Sequence, residues 1–363
     1  MIRFTWRQFR APAVAAAGAL LVLAAFAVVT GPDLARAWSA TLAACGRAGD
    51  CPSATAAFAR TDGVLAAALG TLVSLVPALV GAFWGAPAVA REIEGGTLPL
   101  VWTQSVTRAR WMLVRLAVLG VATALATGLL SLAVSWWAAP LDRAGATRYA
   151  TFAQRDVVPV GHALFAFALG VTAGLLVRRT VPAMAVTLVA FTAVRVVTAF
   201  GLRPRLLVPQ QHALALDPAS TGLGSAVSPS LLLDHWFNGG PSSALDPATP
   251  PMPDAWILST RVVDGHGRDL TDAVLDATCP TVMAHTSAPP AVPGHVPVSE
   301  DAREAFQSCV SRIGSTYHQV VTYQPSGRYW TLQWLEAGLF VGSALLLAAF
   351  CVWWIHRVRP STP

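Results

Sequence analysis

Long apolar runs separated by polar passages dominate the pattern along this chain. Each run has about 20 residues, the length that an α-helix needs to cross the hydrocarbon core of a bilayer. The apolar residues come in blocks rather than in the short periodic stripes of a soluble helix. The pattern therefore predicts an all-α polytopic membrane protein with six transmembrane helices, at about residues 13–30, 63–89, 111–137, 157–177, 180–200 and 331–355.

Two segments outside these runs complete the predicted organisation. Residues 1–10 carry Arg3, Arg7 and Arg10 with aromatic residues between them, which is typical of a helix in the headgroup region. Residues 201–330 are rich in proline, glycine and aspartate and hold no run long enough to cross. We therefore predict a membrane domain at 1–200 with the interfacial helix and five spans, an extracellular domain at 201–330, and the sixth span with a cytosolic tail at 331–363.

The distribution of arginine predicts the orientation, because cytosolic loops of membrane proteins carry the excess of positive charge. With a cytosolic N-terminus, 11 arginines face the cytosol against only Glu92 and Glu94. The segment 201–330 then lies outside, with 7 arginines and 11 acidic residues. We therefore expect both termini to be cytosolic.

The cysteines agree with this orientation. The polar loop predicted from residue 31 to residue 62 holds Cys45 and Cys51, and the segment 201–330 holds Cys279 and Cys309. All four fall on the predicted outer side, where disulfides persist. Four cysteines allow three pairings, and we favour Cys45–Cys51 and Cys279–Cys309 because each pair is local.

Composition narrows the chemistry further. Charged residues make up 12% of the chain, and all 25 basic residues are arginine. The absence of lysine excludes a P-loop ATP site and a Schiff-base lysine in this chain. The histidines lack the spacing of a zinc site, and no Gly-x-Ser-x-Gly motif occurs. We expect no metal site, no cofactor, no catalytic residues and no nucleic-acid partner for this chain.

The polar passage at residues 90–115, between the second and third predicted spans, opens on Arg91-Glu92-Ile93-Glu94 and turns at Gly95-Gly96. Glycines permit a sharp reversal, and the apolar residues at 98–102 suit one face of a short helix that docks in a groove of a soluble protein. The same pattern fits a plain re-entry loop with tryptophans in the membrane interface.

Two charged residues, Arg195 and Glu336, fall inside predicted spans, each about five residues from the outer end. Charges in hydrocarbon are costly and tend to pair or to face a cavity. The alternative is that each side chain reaches the headgroups separately. Similarly, Gly81-x-x-x-Gly85 and Gly170-x-x-x-Gly174 allow close helix approach, either within one bundle or at a dimer seam.

Two motifs carry a family resemblance. The first runs from Arg91 to Leu98 and continues with Thr107, Arg108, Arg110 and Trp111. The second, at the start of the last span, comprises Tyr323, Gln324, Pro325, Arg328, Tyr329, Trp330, Gln333 and Glu336. They resemble the membrane subunits of ABC-2 type transporters, specifically arginine-rich actinobacterial permeases, whose E-x-E-x-G-T-L stretch is similar to the first motif. The resemblance covers the membrane portion and does not extend to residues 201–320.

The resemblance implies six spans, an interfacial helix, a coupling helix between the second and third spans, a dimer of permeases and two cytosolic ATPase subunits that hold ATP and Mg. On this interpretation residues 90–110 form the coupling loop. Arg91, Glu92 and Glu94 contact the ATPase, Gly95 and Gly96 form the turn before Thr97, and Arg108 and Arg110 anchor the loop to headgroups.

The sequence thus predicts the permease subunit of an ATP-driven ABC-2 type exporter in a bacterial plasma membrane. Its expected partners are a cytosolic P-loop ATPase, a second permease subunit and membrane lipid, and it has no enzymatic activity of its own. One rival is a membrane-anchored sensor or binding protein that uses the 201–330 segment, and another is a polytopic membrane enzyme. No residue identifies the transported substrate.

Overall fold

The computed structural model describes residues 18, 22, 25–45, 58, 70–96, 107–143, 148–216, 255–280 and 300–357. The chain divides into two compact units. We call Met1–Leu207 together with Gly327–Pro363 the membrane unit, and Val208–Ser326 the inserted unit. In chain order the described elements are α1 (residues 25–45), α2 (Gly70–Glu94), α3 (Arg108–Arg143), α4 (Val158–Val177), α5 (Thr180–Arg205), β1 (Gln210–Ala215), β2 (Trp256–Asp264), α6 (Asp272–Thr278), α7 (Glu300–Ile313), β3 (Tyr317–Gln324) and α8 (Tyr329–Arg357).

Five described helices, α2 to α5 and α8, are long and apolar enough to cross a membrane. They confirm membrane-spanning helices at five of the six predicted positions. Of the first predicted span, 13–30, the structure describes residues 18, 22 and 25–30, all helical. The six-helix count therefore stays a prediction, and the interfacial helix at 1–10 and the last residues of the cytosolic tail lie outside the described part of the chain.

Consecutive spans run in opposite directions, so that α2, α4 and α8 are parallel to one another. The bundle therefore has two ends, which we name after Glu94 and Tyr329. At the Glu94 end, Val89 of α2 and Met112 of α3 are buried together with Cys351 and Ile355 of α8. At the Tyr329 end, the start of α8 contacts the start of α4. The two ends of the bundle therefore hold separate sets of contacts between spans.

The prediction of a polar loop from residue 31 is wrong for residues 31–45, which continue α1. Leu34 and Trp38 lie about one turn apart and pack in one cluster with Trp137 of α3. The Trp137 indole N–H donates to the Thr30 hydroxyl at 2.9 Å. This apolar stripe at helical spacing outweighs the local loop signal of Pro32 and Asp33.

Glycines allow a close contact between α2 and α4. A Cβ atom on Gly81 would stand 2.6 Å from the Ala166 carbonyl oxygen, and one on Gly174 would stand 2.5 Å from the Ala86 carbonyl oxygen. Backbones approach this closely only where small residues face each other. The two glycine motifs therefore pack against each other inside one chain.

The inserted unit corrects the all-α prediction, because it contains a small antiparallel sheet of order β1-β3-β2. Strand β3 pairs with β1 from Gln210 opposite Tyr323 to Ala215 opposite His318, and with β2 across a register shift between Ile257 and Ser259. The β-branched residues of β2 and β3 favour strands. Because these strands are separated by long stretches of chain, no hairpin signal marks them in the sequence.

Helix α7 and the sheet share a core in which Val262, Val310 and Ile313 are buried with a disulfide. The Cys279–Cys309 bond has a Cα–Cα distance of 5.5 Å and confirms that predicted pairing. Cys45 is buried at the end of α1. Cys51 lies outside the described residues, so the Cys45–Cys51 bond stays a prediction.

A tight turn follows β2 where the sequence reads Asp264-Gly265-His266-Gly267. Gly267 has a φ of 79°, in the region that favours glycine. The Asp264 carboxylate accepts hydrogen bonds from the backbone N–H groups of His266 and Arg268, each at 2.9 Å. These donors, first of all the backbone N–H of Arg268, lower the pKa of Asp264 to about 2.

Candidate functional site

The carboxylate of Glu336, on α8, lies at the centre of a cluster of polar side chains in the membrane unit, and it is fully buried. Arg203 donates to it twice, from Nε to Oε2 at 2.6 Å and from Nη2 to Oε1 at 2.8 Å. His162 Nε2 of α4 lies 3.0 Å from Oε1, and Arg195 Nη1 of α5 lies 3.6 Å from the same oxygen. We call these four residues the Glu336 cluster.

A change of helix type in α5 places both arginines beside Glu336. The α-helical part ends at Val196, a π-helix runs from Val197 to Leu202, and a 3₁₀ turn holds Arg203. Residues eight positions apart are about 2.2 turns apart on an α-helix and so do not lie on one line. The wider π-turns bring Arg195 and Arg203 onto the same side. Such π-segments are frequent at functional sites.

The sequence pointed to Arg195 and Glu336 but left their pairing open. The structure brings them together and gives the two shortest contacts with the carboxylate to Arg203, which the sequence had assigned to the extracellular segment. His162, which the sequence did not single out, is only 1% exposed, and its ring meets the Phe340 ring edge-on with 4.3 Å between the ring centroids. A polar residue inside an apolar run was the only signal that could have found it.

Gln333, one turn before Glu336 on α8, joins three segments at the Tyr329 end. Its Oε1 accepts from the backbone N–H groups of Val157 and Val158, at 3.2 and 3.0 Å, and its Nε2 donates to the Phe152 carbonyl oxygen at 2.8 Å. The first N–H groups of a helix have no partner within the helix. Gln333 therefore caps the start of α4 with a side chain from α8.

A second network, of ionic side chains, lies at the Tyr329 end and joins the end of α3 to the connection that precedes α4. Arg155, buried at 1% exposure, donates from Nη1 to Asp142 Oδ1 at 2.9 Å, and its Nη2 contacts the other oxygen. Burial lowers the pKa of Arg155, but its bonds with Asp142 raise that pKa above the ordinary value. The Tyr329 hydroxyl donates to Asp156 Oδ2 at 2.6 Å. This network was not predicted, because its members looked like an ordinary polar connection.

The other residues of the second motif are divided between the two units. Gln324, fully buried, ends β3 opposite Trp256 in the inserted unit, and Pro325 follows it. In the membrane unit Arg328 ends a 3₁₀ turn and Trp330 is 47% exposed. Gln333 and Glu336 are thus the members of the motif that hold α8 against other spans.

At the Glu94 end, Glu92 of α2 and Arg115 of α3 form a buried ion pair. The Arg115 guanidinium also lies 5.0 Å from the ring centroid of Trp111. A buried ion pair needs good geometry to offset desolvation, and the loss of one partner is strongly destabilising. Glu92 therefore faces α3 instead of the solvent.

Glu94, at the last position of α2, caps the first turn of α5. Its Oε2 accepts from the Thr180 backbone N–H at 3.0 Å and from the Thr180 hydroxyl at 2.7 Å. A carboxylate at this place satisfies a free N–H group and complements the positive end of the helix dipole. Two acidic residues of one helix turn thus bind two different spans.

The remaining residues of the predicted coupling set lie around this point. Arg91 is exposed on α2, Gly95 ends the helix, and Gly96 has a φ of 63°. Thr97 lies outside the described residues, as does the predicted docking helix at 98–102. Arg108 and Arg110 are in the first turn of α3, where Thr107 Oγ1 accepts from the Arg110 backbone N–H at 3.4 Å.

Apolar helices of membrane-spanning length with charged side chains paired between them define a multi-pass membrane protein. The chain belongs to the ABC-2 membrane transporter related family, whose model matches residues 17–203, more than half of the chain. No curated protein and no solved structure matches the chain. The match includes the first of the two motifs and confirms the resemblance at the family level. The family makes this chain a permease component of an ABC transporter, which works with an ATPase subunit.

Proposed function

We propose that this chain is the permease subunit of an ATP-driven ABC-2 type exporter in a bacterial plasma membrane, and that residues 90–110 receive the motion of a separate P-loop ATPase. One observation carries the proposal. The last turn of α2 holds two other spans, through Glu92 with Arg115 on α3 and through Glu94 with Thr180 on α5.

These contacts give the Glu94 end a mechanical role. A displacement applied at Gly95 and Gly96 moves the end of α2, and the two carboxylates pass that movement to α3 and α5. The close glycine contact with α4 resists sliding between α2 and α4. ATP binding would shift such a bundle between two arrangements by favouring one of them.

The same contacts refine the predicted roles within the coupling set. Glu92 and Glu94 use their carboxylates inside the chain, so we assign them to transmission. Arg91 is exposed and is available to acidic residues of the ATPase. Arg110 is also exposed, and we keep its predicted role of anchoring the loop to headgroups. The arginine excess supports a cytosolic Glu94 end. ATP and Mg would be held by the ATPase, and a second permease subunit would complete the exporter.

The first test separates docking from general charge effects. The chain is co-expressed with its neighbouring reading frames, and recovery of a P-loop ATPase with it is measured for the unmodified chain, for Arg91→Glu and for Arg205→Glu. Arg205 is exposed at the opposite end of the bundle, which makes it the matched control. We expect Arg91→Glu alone to reduce recovery of the ATPase. If the unmodified chain recovers no ATPase, the sensor interpretation is favoured.

The second test addresses transmission. Spin labels at the exposed positions Leu79 of α2 and Val189 of α5 report the distance between these helices with and without ATP. We expect ATP to change this distance in the complex, and Glu94→Ala or Gly96→Pro to abolish the change while membrane insertion persists. An unaltered ATP response in both variants would refute the assignment of residues 90–110.

A further inference from the structure

We infer that Arg195 and Arg203 form a binding site for the anionic headgroup of an amphiphile in the bilayer, a phosphate or a group of similar charge, at the Tyr329 end of the bundle. The site lies at the opposite end from the predicted ATPase contact. The inference therefore does not depend on how the ATPase is coupled.

The Glu336 cluster carries an excess of positive charge. It contains two guanidinium groups, which are always protonated in proteins, and one carboxylate. The sum is positive whether or not His162 carries a proton. Among the described residues no second carboxylate contacts Arg195 or Arg203. A charge without a counter-ion is costly within a membrane. A bound anion would therefore stabilise the cluster by balancing its excess positive charge.

The hydrogen bonds to Glu336 do not include Arg195. Arg203 occupies both carboxylate oxygens, and His162 shares Oε1. Arg195 Nη1 lies 3.6 Å from Oε1, beyond a normal hydrogen bond. Its hydrogen-bonding neighbour is His162 Nε2, at 3.0 Å.

The His162 nitrogen cannot serve both neighbours. A ring nitrogen either carries a proton and donates or has a lone pair and accepts. When Nε2 donates to Glu336, it cannot accept from Arg195, and the guanidinium is free to turn to another acceptor. When Nε2 accepts from Arg195, Glu336 loses a donor. An anion that accepts from Arg195 allows every group in the cluster to be satisfied at once.

Access favours a ligand within the bilayer. The Arg195 and Arg203 side chains are 17% and 11% exposed, whereas Glu336 is fully buried. The residues on either side of Arg195, Val194 and Val196, are apolar and exposed at 37% and 51%. A headgroup with an attached apolar chain can contact both kinds of surface, and a free soluble anion cannot.

The test measures binding to the full-length chain purified in detergent. The probes are short-chain phosphatidylglycerol, short-chain phosphatidylcholine and inorganic phosphate, and the readout is native mass spectrometry with thermal stabilisation. We expect the unmodified chain to bind phosphatidylglycerol in preference to phosphatidylcholine. Arg195→Gln should weaken phosphatidylglycerol binding about tenfold, the effect of about 1.4 kcal/mol, and Arg195→Lys should weaken it less.

The matched control is Arg205→Gln, which removes the same charge from an exposed residue of the same helix. It should leave phosphatidylglycerol binding unchanged. Equal binding of the two lipids by the unmodified chain overturns the inference without any variant, and so does equal weakening by Arg205→Gln and Arg195→Gln. Competition by millimolar inorganic phosphate as effective as that by lipid would show a soluble anion site and refute the lipid assignment.

Discussion

Gly170 of α4 lies so close to Gly81 of α2 that a Cβ atom on Gly170 would stand 2.2 Å from the Gly81 carbonyl oxygen. The backbone N of Ala86 would be 2.8 Å from the same Cβ. Both neighbours are backbone atoms and cannot move aside as a side chain can. The contact fixes the distance between two spans that flank the proposed coupling end.

Gly170→Ala should therefore destabilise the bundle. The added methyl group forces α2 and α4 apart, and overpacking of this kind costs about 1–3 kcal/mol. Unfolding of the purified chain in detergent measures the effect. Gly342→Ala on α8 is the control, because a Cβ there meets no atom within 4 Å and the helix gains about 0.5–1 kcal/mol from alanine. Equal stability of the two variants would contradict the structure at this contact.

Gln333→Leu should uncap α4. The substitution introduces an apolar side chain of similar size and leaves the Val158 backbone N–H, whose bond to Oε1 is 3.0 Å long, without its acceptor. A buried donor left without a partner costs about 1–3 kcal/mol. Hydrogen exchange should accelerate at the start of α4 and remain unchanged at the start of α3. Ser343→Ala, which removes an exposed hydroxyl bonded within α8, should have no measurable effect.

Sequence reasoning located the spans because the length of an apolar run is a local property. It also favoured the Cys279–Cys309 bond, since a short separation limits the choice of partners. The three-stranded sheet was missed, because β3 pairs with strands that are distant in the sequence. Arg203 and Arg155 were missed for a related reason: in a polar segment, nothing in the sequence distinguishes an arginine that folds back onto a buried acid from one in water.

The roles of Glu92 and Glu94 show the same limit. Their sequence pattern predicted exposed charges for a partner protein, and that assignment remains a prediction for the passage as a whole. The structure adds that Glu92 contacts Arg115, a residue 23 positions further along the chain. Such a contact depends on where α2 ends and on how α3 packs against it. The motif alone specifies neither.

Glu336→Gln should be the most destabilising substitution in the Glu336 cluster. It leaves the Arg195 and Arg203 guanidinium groups without a carboxylate, and breaking a buried ion pair costs about 3–5 kcal/mol. The double variant Glu336→Gln/Arg203→Gln should lose less than the sum of the single variants, because it removes the stranded charge together with its partner. Unfolding in detergent measures the loss of stability of the two single variants and of the double variant. Strict additivity would show that the two side chains do not interact.

Loss of the Cys279–Cys309 bond should destabilise the inserted unit and leave the spans intact. The bond closes a loop with a sequence separation of 30, for which the chain-entropy estimate is about 3–4 kcal/mol. Cys309 is 1% exposed and packs beside Val310 and Ile313, so the serine variant also places a hydroxyl in this core. Limited proteolysis of the full-length Cys309→Ser chain should cut within Val208–Ser326 faster than in the unmodified chain. Reductant should reproduce that change in the unmodified chain and add nothing to the variant. Cleavage that is equally slow in all samples would mean that the other contacts of this core hold the inserted unit together without the disulfide.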